Sequence, residues 1–195
     1  DELWVPSEYV RSMYVGAGVD AGKVHVVPNG VDLDRFSPEG DQFPLDGIPQ
    51  GARRFLFVGG FIGRKGPDVL LNAWRMAFAG RTDVALIIKD FGAEGHYKSG
   101  NRAPIADAMA DPSVAPIVHL TDDLSDEQVA SLFRSADVLV HPYRGEGFAM
   151  PVLEAMASGI PSIVTGGGPT DEFCPTEAGW RIKSARTERG VNVIE

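Results

Sequence analysis

The chain has 195 residues, 44% of them hydrophobic and 23% charged, with a formal net charge of −9. That size suits one well-packed domain burying roughly 70% of its unfolded surface, and the acidic balance excludes a nucleic-acid backbone as main partner, since that needs a basic face. A single cysteine, Cys174, excludes an internal disulfide and a thiolate metal cage and suits a reducing, cytoplasmic compartment, and neither an apolar run of about 18 residues nor a signal-peptide pattern interrupts the soluble composition.

In chain order, residues 3–6 and 24–27 are expected strands around a helix over 7–15. Residues 32–51 carry Pro38, Pro44 and Pro49 among Gly and Asp and read as a linker, which places a boundary near residue 40. Beyond it, strands are expected over 55–58, 84–88, 117–120, 138–141 and 160–164. Helices are expected over 67–79, 101–110, 125–136 and 151–158, with a short one over 169–173. Ser125 and Gln128 have capping-box spacing, which marks one helix start. The strands are apolar throughout rather than alternating, as in a sheet covered on both faces. The expected fold class is therefore α/β, a doubly wound parallel sheet of Rossmann-like type.

Three strand ends run into glycine-rich turns followed by proline: Gly63 to Pro67, Gly145 to Pro151, and Gly166 to Pro169. Proline suits the first helical position, where no N–H is required. Such turns line the carboxyl edge of a parallel sheet, where ligands bind, and helix starts present free N–H groups to an anion. Arg64 and Lys65 oppose the dipole of the helix they precede, a local cost that a bound diphosphate would reverse. Glu146 and Glu154 stand eight residues apart, one in a turn and one on the following helix. Taken alone, that pair reads more simply as an exposed turn glutamate beside an exposed helix glutamate. Asp32 and Asp34 match an Asp-x-Asp metal pattern but fall in the linker, so no metal site is expected.

Arg144 to Gly159, with Glu146 and Glu154 at its ends of a Glu-x7-Glu pattern, resembles the signature of the group 1 (family 4) retaining glycosyltransferases. Val27 to Asp32 with Phe36 resembles that family's interdomain hinge, and Val58, Gly59, Lys65 and Gly66 resemble its first donor-domain loop. The resemblance implies one half of a glycosyltransferase-B fold. Residues 1–40 would be the end of the acceptor domain plus the hinge. Residues 41–195 would be the nucleotide-sugar-binding Rossmann-like domain, shortened at its carboxyl end, so that the piece by itself would be inactive.

By the same resemblance, Glu154 would hold the ribose hydroxyls and Glu146 a sugar hydroxyl. Gly147, Phe148, Ala149 and Met150 would contact sugar or diphosphate, Lys65 and Arg64 would neutralise the leaving diphosphate, Gly59 and Gly60 would line the donor, and Thr121 to Leu124 would face the base. Two positions depart from the family pattern. Gly60 stands where an arginine is usual, and Arg64 is expected to supply that charge. Ala149 stands where a glycine is usual, a small change unless the backbone there has positive φ.

The implied reaction is transfer from a nucleoside-diphosphate sugar to a sugar, glycan or lipid-linked acceptor held by the other domain, with no cofactor and no metal. Peripheral membrane association of the longer protein and self-association through residues 1–31, whose strands lack a sheet, are further expectations. Rival readings are a nucleotide-sugar epimerase of the same fold and a non-catalytic nucleotide-sugar-binding module. A nicotinamide dehydrogenase is disfavoured, because Gly59, Gly60 and Gly63 do not space as Gly-x-Gly-x-x-Gly.

Overall fold

The computed structural model describes residues 1–91, 102–186 and 192–194. The amino-terminal unit comprises β1 (Leu3–Val5), α1 (Glu8–Gly16) and β2 (Val24–Val26), with β1 and β2 paired in parallel as an isolated two-stranded sheet. Ser7 caps α1 by accepting the N–H of Val10.

The main sheet is built from β3 (Arg53–Gly59), β4 (Val84–Asp90), β5 (Ile117–Leu120), β6 (Val138–His141), β7 (Ser162–Thr165) and β8 (Gly179–Ile182). All neighbours are parallel, in the order β5-β4-β3-β6-β7-β8. The winding runs outward from β3 in one direction and from β6 in the other. The gap between β3 and β6 is therefore the switch point at which ligands of such sheets bind.

The connections carry α2 (Pro67–Ala77), α3 (Ala103–Ala110), α4 (Asp126–Arg134) and α5 (Met150–Ala157). Strand residues alternate between two cores, as the two-residue side-chain period requires. Leu56, Val58, Ile87, Leu139 and Val164 pack with Leu132, Phe133 and Val152 on the α4–α5 side. Phe57, Leu86, Ile88 and Val140 pack with Leu70, Trp74 and Ile105 on the α2–α3 side. The capping box of α4 is formed as its spacing implies, with Ser125 and Gln128 satisfying each other's backbone N–H.

Four expectations need correction. The strand expected over 160–164 begins at Ser162, because Gly159 takes a left-handed φ of 73° and the Ile160 N–H turns back to Ala155. The helix expected over 101–110 starts at Ala103, position 101 lying outside the described residues. Residues 32–51 hold no regular element but are no free linker. Phe36 is buried edge-on against Phe133, 5.8 Å between centroids, and the Phe43 N–H bonds to Ser135 and Ser131. The strands are not apolar throughout either, since β4 ends in the fully buried Lys89 and Asp90. Three strands escaped the sequence pattern: β8 and the antiparallel pair β9 (Ser184–Arg186) and β10 (Asn192–Ile194).

The loop ending β3 and the loop ending β6 touch at Gly66. Its φ is 71°, and a Cβ there would fall onto the carbonyl oxygen of Pro142. Gly63, three residues earlier, faces open space. Gly66→Ala should cost about 2–4 kcal/mol, from backbone strain and a collision that no side-chain motion relieves. Gly63→Ala should stay within about 0.5 kcal/mol. Urea unfolding of the two variants checks this, and equal losses would contradict it.

Candidate active site

The β3 and β6 loops are fastened to each other before any charged side chain is considered. The N–H groups of Arg144 and Gly145 both donate to the carbonyl of Arg64, at 2.7 and 3.2 Å. The Arg144 guanidinium donates to the Gly63 carbonyl at 2.9 Å and grips Asp68 through both carboxylate oxygens, at 2.7 and 2.6 Å. Two segments some eighty residues apart in sequence thus form one rigid edge.

Glu146 lies at the centre of that edge, its side chain only 8% exposed. Its carboxylate accepts from Lys65 Nζ, from Arg64 Nη1 at 3.4 Å and from His141 Nε2 at 3.2 Å. His141 is fully buried at the end of β6, and its Nδ1 has no partner among the described residues. The ring proton therefore belongs on Nε2, where the carboxylate accepts it. Burial alone would raise the Glu146 pKa, but His141 and Lys65 outweigh it and hold the carboxyl at about 2. Burial lowers the His141 pKa against the pull of Glu146, keeping the imidazole neutral.

The turn after Glu146 aims the start of α5. Gly147, Phe148 and Ala149 lead into Met150, and Phe148 is buried in a near-parallel stack on Phe173, with centroids 4.7 Å apart. Ala149 has φ 75°, the one non-glycine residue with positive φ among those described. The alanine therefore sits in the one conformation that makes the departure from glycine consequential, at roughly 1–2 kcal/mol of local strain. Its reward is geometric. The N–H groups of Phe148, Ala149 and Met150 have no protein partner among the described residues and stand at a helix start. The Gly147 carbonyl is taken by Ser7 Oγ at 2.8 Å, while Glu172 accepts from the N–H groups of Glu8 and Tyr9. The amino-terminal unit is thereby clamped against this turn.

Glu154 lies one side of α5 further on, lining a cleft of about 440 Å³ with Val58, Phe91, Leu124, Met150 and Arg35. Its carboxyl has no hydrogen-bonding or ionic partner among the described residues, and burial with the nearby Asp126 pushes its pKa up to about 7. Gly59 and Gly60 are buried behind Lys65, whose Cδ and Cε would just contact a Cβ at Gly59. Thr121 is exposed and does not line this cleft, whereas Leu124 does.

Two sequence features resolve into local structure. The turn from Gly166 to Pro169 leads only to a 3₁₀ turn, Pro169–Glu172, and the Gly167 N–H is used by Asp171, so it offers no helix start of its own. Asp32 accepts the N–H groups of Asp34 and Arg35 as a local turn, and no cluster of His, Cys, Asp and Glu that could hold a metal occurs among the described residues. Sequence reasoning missed the Arg144–Asp68 pair and the grip of His141 on Glu146, because both depend on which strands are neighbours. No helix among the described residues is long and apolar enough to cross a membrane.

Residues 41–195 match the family model described as glycosyl transferases group 1. The D-inositol 3-phosphate glycosyltransferase of Streptomyces avermitilis is 35% identical over 156 residues, covering 76% of this chain and 33% of that protein. Its counterpart from Pseudarthrobacter chlorophenolicus is 34% identical over 151 residues, 76% of this chain and 35% of that protein. The chain thus spans about a third of the length of these curated relatives. Among solved structures, Anabaena Alr3699/HepE in complex with UDP and glucose aligns at TM-score 0.69 and 16% identity, over 92% of this chain and 48% of that one. The C-terminal domain of the group 1 protein LpcC from Francisella tularensis aligns at TM-score 0.57 and 22% identity, over 79% and 80%. With this signature, this loop geometry and these matches, the chain belongs to the group 1 glycosyltransferase family and carries the Rossmann-like, carboxyl-terminal half of a glycosyltransferase-B fold.

Proposed function

We propose that this chain holds the nucleoside-diphosphate sugar of a retaining glycosyltransferase, with the acceptor held by the remainder of a two-domain protein. The observation that carries this reading is the spacing of unmet needs along one loop and helix. Glu146 sits with Lys65 and Arg64 at one end, the carboxyl of Glu154 lies at the other, and three N–H groups stand between them, with Glu154 and those N–H groups unpartnered among the described residues. A nucleoside-diphosphate sugar presents hydroxyls at both ends and negative charge in the middle, which is the complement of that pattern.

In this reading Glu154 accepts from the ribose hydroxyls, and the N–H groups of Phe148, Ala149 and Met150 take diphosphate oxygens. Glu146 accepts from a sugar hydroxyl, which lets Lys65 and Arg64 turn toward the diphosphate. As the bond from the anomeric carbon to the diphosphate breaks, charge grows on the leaving oxygen, and those two cations with the helix start stabilise it. The protein supplies enough positive charge for this that the reading invokes no metal. His141 keeps Glu146 ionised and oriented as a positioning residue. Residues 1–40 are read as the end of the acceptor domain and the hinge, the open-edged β1–β2 pair joining that domain's sheet. The acceptor is a sugar, glycan or lipid-linked sugar, and the setting is a reducing, cytoplasmic one in keeping with the buried free Cys174. The curated relatives are named for D-inositol 3-phosphate.

Calorimetric titration with nucleoside diphosphates and their sugars separates the roles of the two glutamates. Glu154→Gln should weaken free nucleotide and nucleotide sugar alike. Glu146→Gln should weaken the nucleotide sugar and leave the free nucleotide almost unchanged. Each loss should be about 1–3 kcal/mol, the scale of hydrogen bonds to a charged group. No change in either variant would show that neither glutamate contacts the donor.

A pH dependence follows from Glu154. Its folded pKa of about 7 lies above the ordinary carboxylate value, so the fold binds that proton more tightly than the unfolded chain does. The associated stability is present in full below the unfolded pKa and is lost as pH rises through the folded one. The free protein should therefore lose stability between about pH 4.5 and 7, while nucleotide affinity rises over the same window as the acceptor carboxylate forms. In Glu154→Gln both slopes should flatten. Slopes in the variant that match the parent protein would assign the effect to other groups.

A further inference from the structure

Ser7 caps α1, yet its hydroxyl does more than a cap requires. The oxygen accepts the Val10 N–H at 3.2 Å, which is all that an N-cap needs. The one hydroxyl proton goes elsewhere, to the carbonyl of Gly147 at 2.8 Å, a residue 140 positions further along the chain. Ser7 is buried where the two units meet, at 1% exposure. It therefore joins the amino-terminal unit to the backbone of the turn that follows Glu146.

The bond acts on a peptide unit. The peptide between Gly147 and Phe148 is trans and planar, so its C=O and N–H point in opposite directions. With the carbonyl held by Ser7, the Phe148 N–H is directed away from the amino-terminal unit, and it is one of the three N–H groups at the start of α5 without a partner among the described residues. The Phe148 ring is anchored by its stack on Phe173. That anchor does not fix the peptide, which can rotate about its flanking Cα atoms while the ring stays in place, and the glycine on one side barely opposes the rotation. A rotated peptide would present a carbonyl oxygen where the N–H now stands. Gly147 also lets the unit approach, since a Cβ there would lie 3.8 Å from Val10 Cγ2 and 3.9 Å from Pro6 Cγ. Glu172 seats α1 by accepting the Glu8 and Tyr9 N–H groups at 2.9 and 2.6 Å, and the next residue is the Phe173 that holds Phe148.

We propose that Ser7 is a positioning residue for the donor: by holding the Gly147 carbonyl it keeps the Phe148 N–H turned toward the diphosphate. A side chain of the amino-terminal unit then sets the affinity of a nucleotide that it does not touch. The inference rests on the reading of the turn over 146–150 as the diphosphate site. Coupling of this kind is reciprocal. A nucleotide that fixes the peptide strengthens the Ser7 bond in turn and holds α1 more firmly on the turn.

The test is calorimetric titration of the chain with UDP, GDP and ADP, the tightest of the three then being carried to Ser7→Ala and Ser7→Gly. Both variants lose the bond to Gly147. Glycine is a tolerated N-cap and alanine a poor one, so Ser7→Ala should lower the unfolding midpoint clearly more than Ser7→Gly does. Nucleotide affinity should nonetheless fall about equally in the two, roughly five- to tenfold, the scale of one neutral hydrogen bond. In hydrogen exchange, bound nucleotide should slow the amides of Glu8 to Arg11 by about threefold or more in the parent and leave them unchanged in Ser7→Gly. Affinity in Ser7→Gly equal to the parent's, or losses that follow the fall in midpoint, would overturn the role of Ser7 while the donor-site reading stands. Equal protection of α1 in parent and variant would do the same. If the parent bound none of the three nucleotides, the donor-site reading would fail and this inference with it.

Discussion

The structure depends on one buried carboxylate. Glu146 is nearly sealed from solvent, and His141 and Lys65 hold it ionised against that burial, with Arg64 at 3.4 Å on its other oxygen. Lys65 and Arg64 come from the loop after β3, and His141 from the end of β6, so the carboxylate is what two separately threaded segments have in common. Desolvating such a charge is expensive, and the attraction offsets that cost only with several donors in good geometry. The surrounding details serve that requirement. Gly66 lets the two loops approach to backbone contact, Arg144 bolts them through Asp68 and Gly63, and the Arg64 carbonyl takes two N–H groups from the opposite loop.

From that centre the chain runs directly into α5, and its strain has a visible purpose. Ala149 turns the backbone through a left-handed conformation, and three N–H groups beside the Lys65–Glu146 pair have no partner among the described residues. A charge pair that is internally neutral and a helix start that is not make a site poised for an anion. Glu154 adds an acceptor on the same helix with no partner among the described residues, and the strap of residues 30–36 lines the cleft beside it. That strap is part of the connection from β2 to β3.

Much of this was legible in the residues. Mostly apolar strands separated by helical stretches imply a parallel sheet, and the glycine and proline turns after β3 and β6 mark its ligand edge. The family resemblance assigns Glu146 and Lys65 separate roles in one site, but their direct pairing is not legible in it, since it requires β3 and β6 to be neighbours. His141 illustrates the same limit, being one more residue at the end of an apolar run until the fold seats it behind Glu146. Lys89 and Asp90 were hidden for the opposite reason: an apolar run implies burial for whatever ends it, and the residues ending this one were left out of the strand. The Gly166 turn was over-read because glycine followed by proline also begins a 3₁₀ turn, and only the hydrogen bonds distinguish the two. The strands β8 to β10 are short and lie among polar residues, where no periodicity could stand out.

The central claim is that Glu146 and Lys65 stabilise the loop edge as a unit and not as separate residues. A double-mutant cycle measured by denaturant unfolding tests it most directly, using Lys65→Met, Glu146→Gln and the pair together. Lys65→Met alone should cost about 2–3 kcal/mol, since it leaves a buried carboxylate with only His141 and the more exposed Arg64, and adding Glu146→Gln should recover most of the loss. Strictly additive effects would show that the two side chains do not depend on each other, and the account of this edge would be wrong.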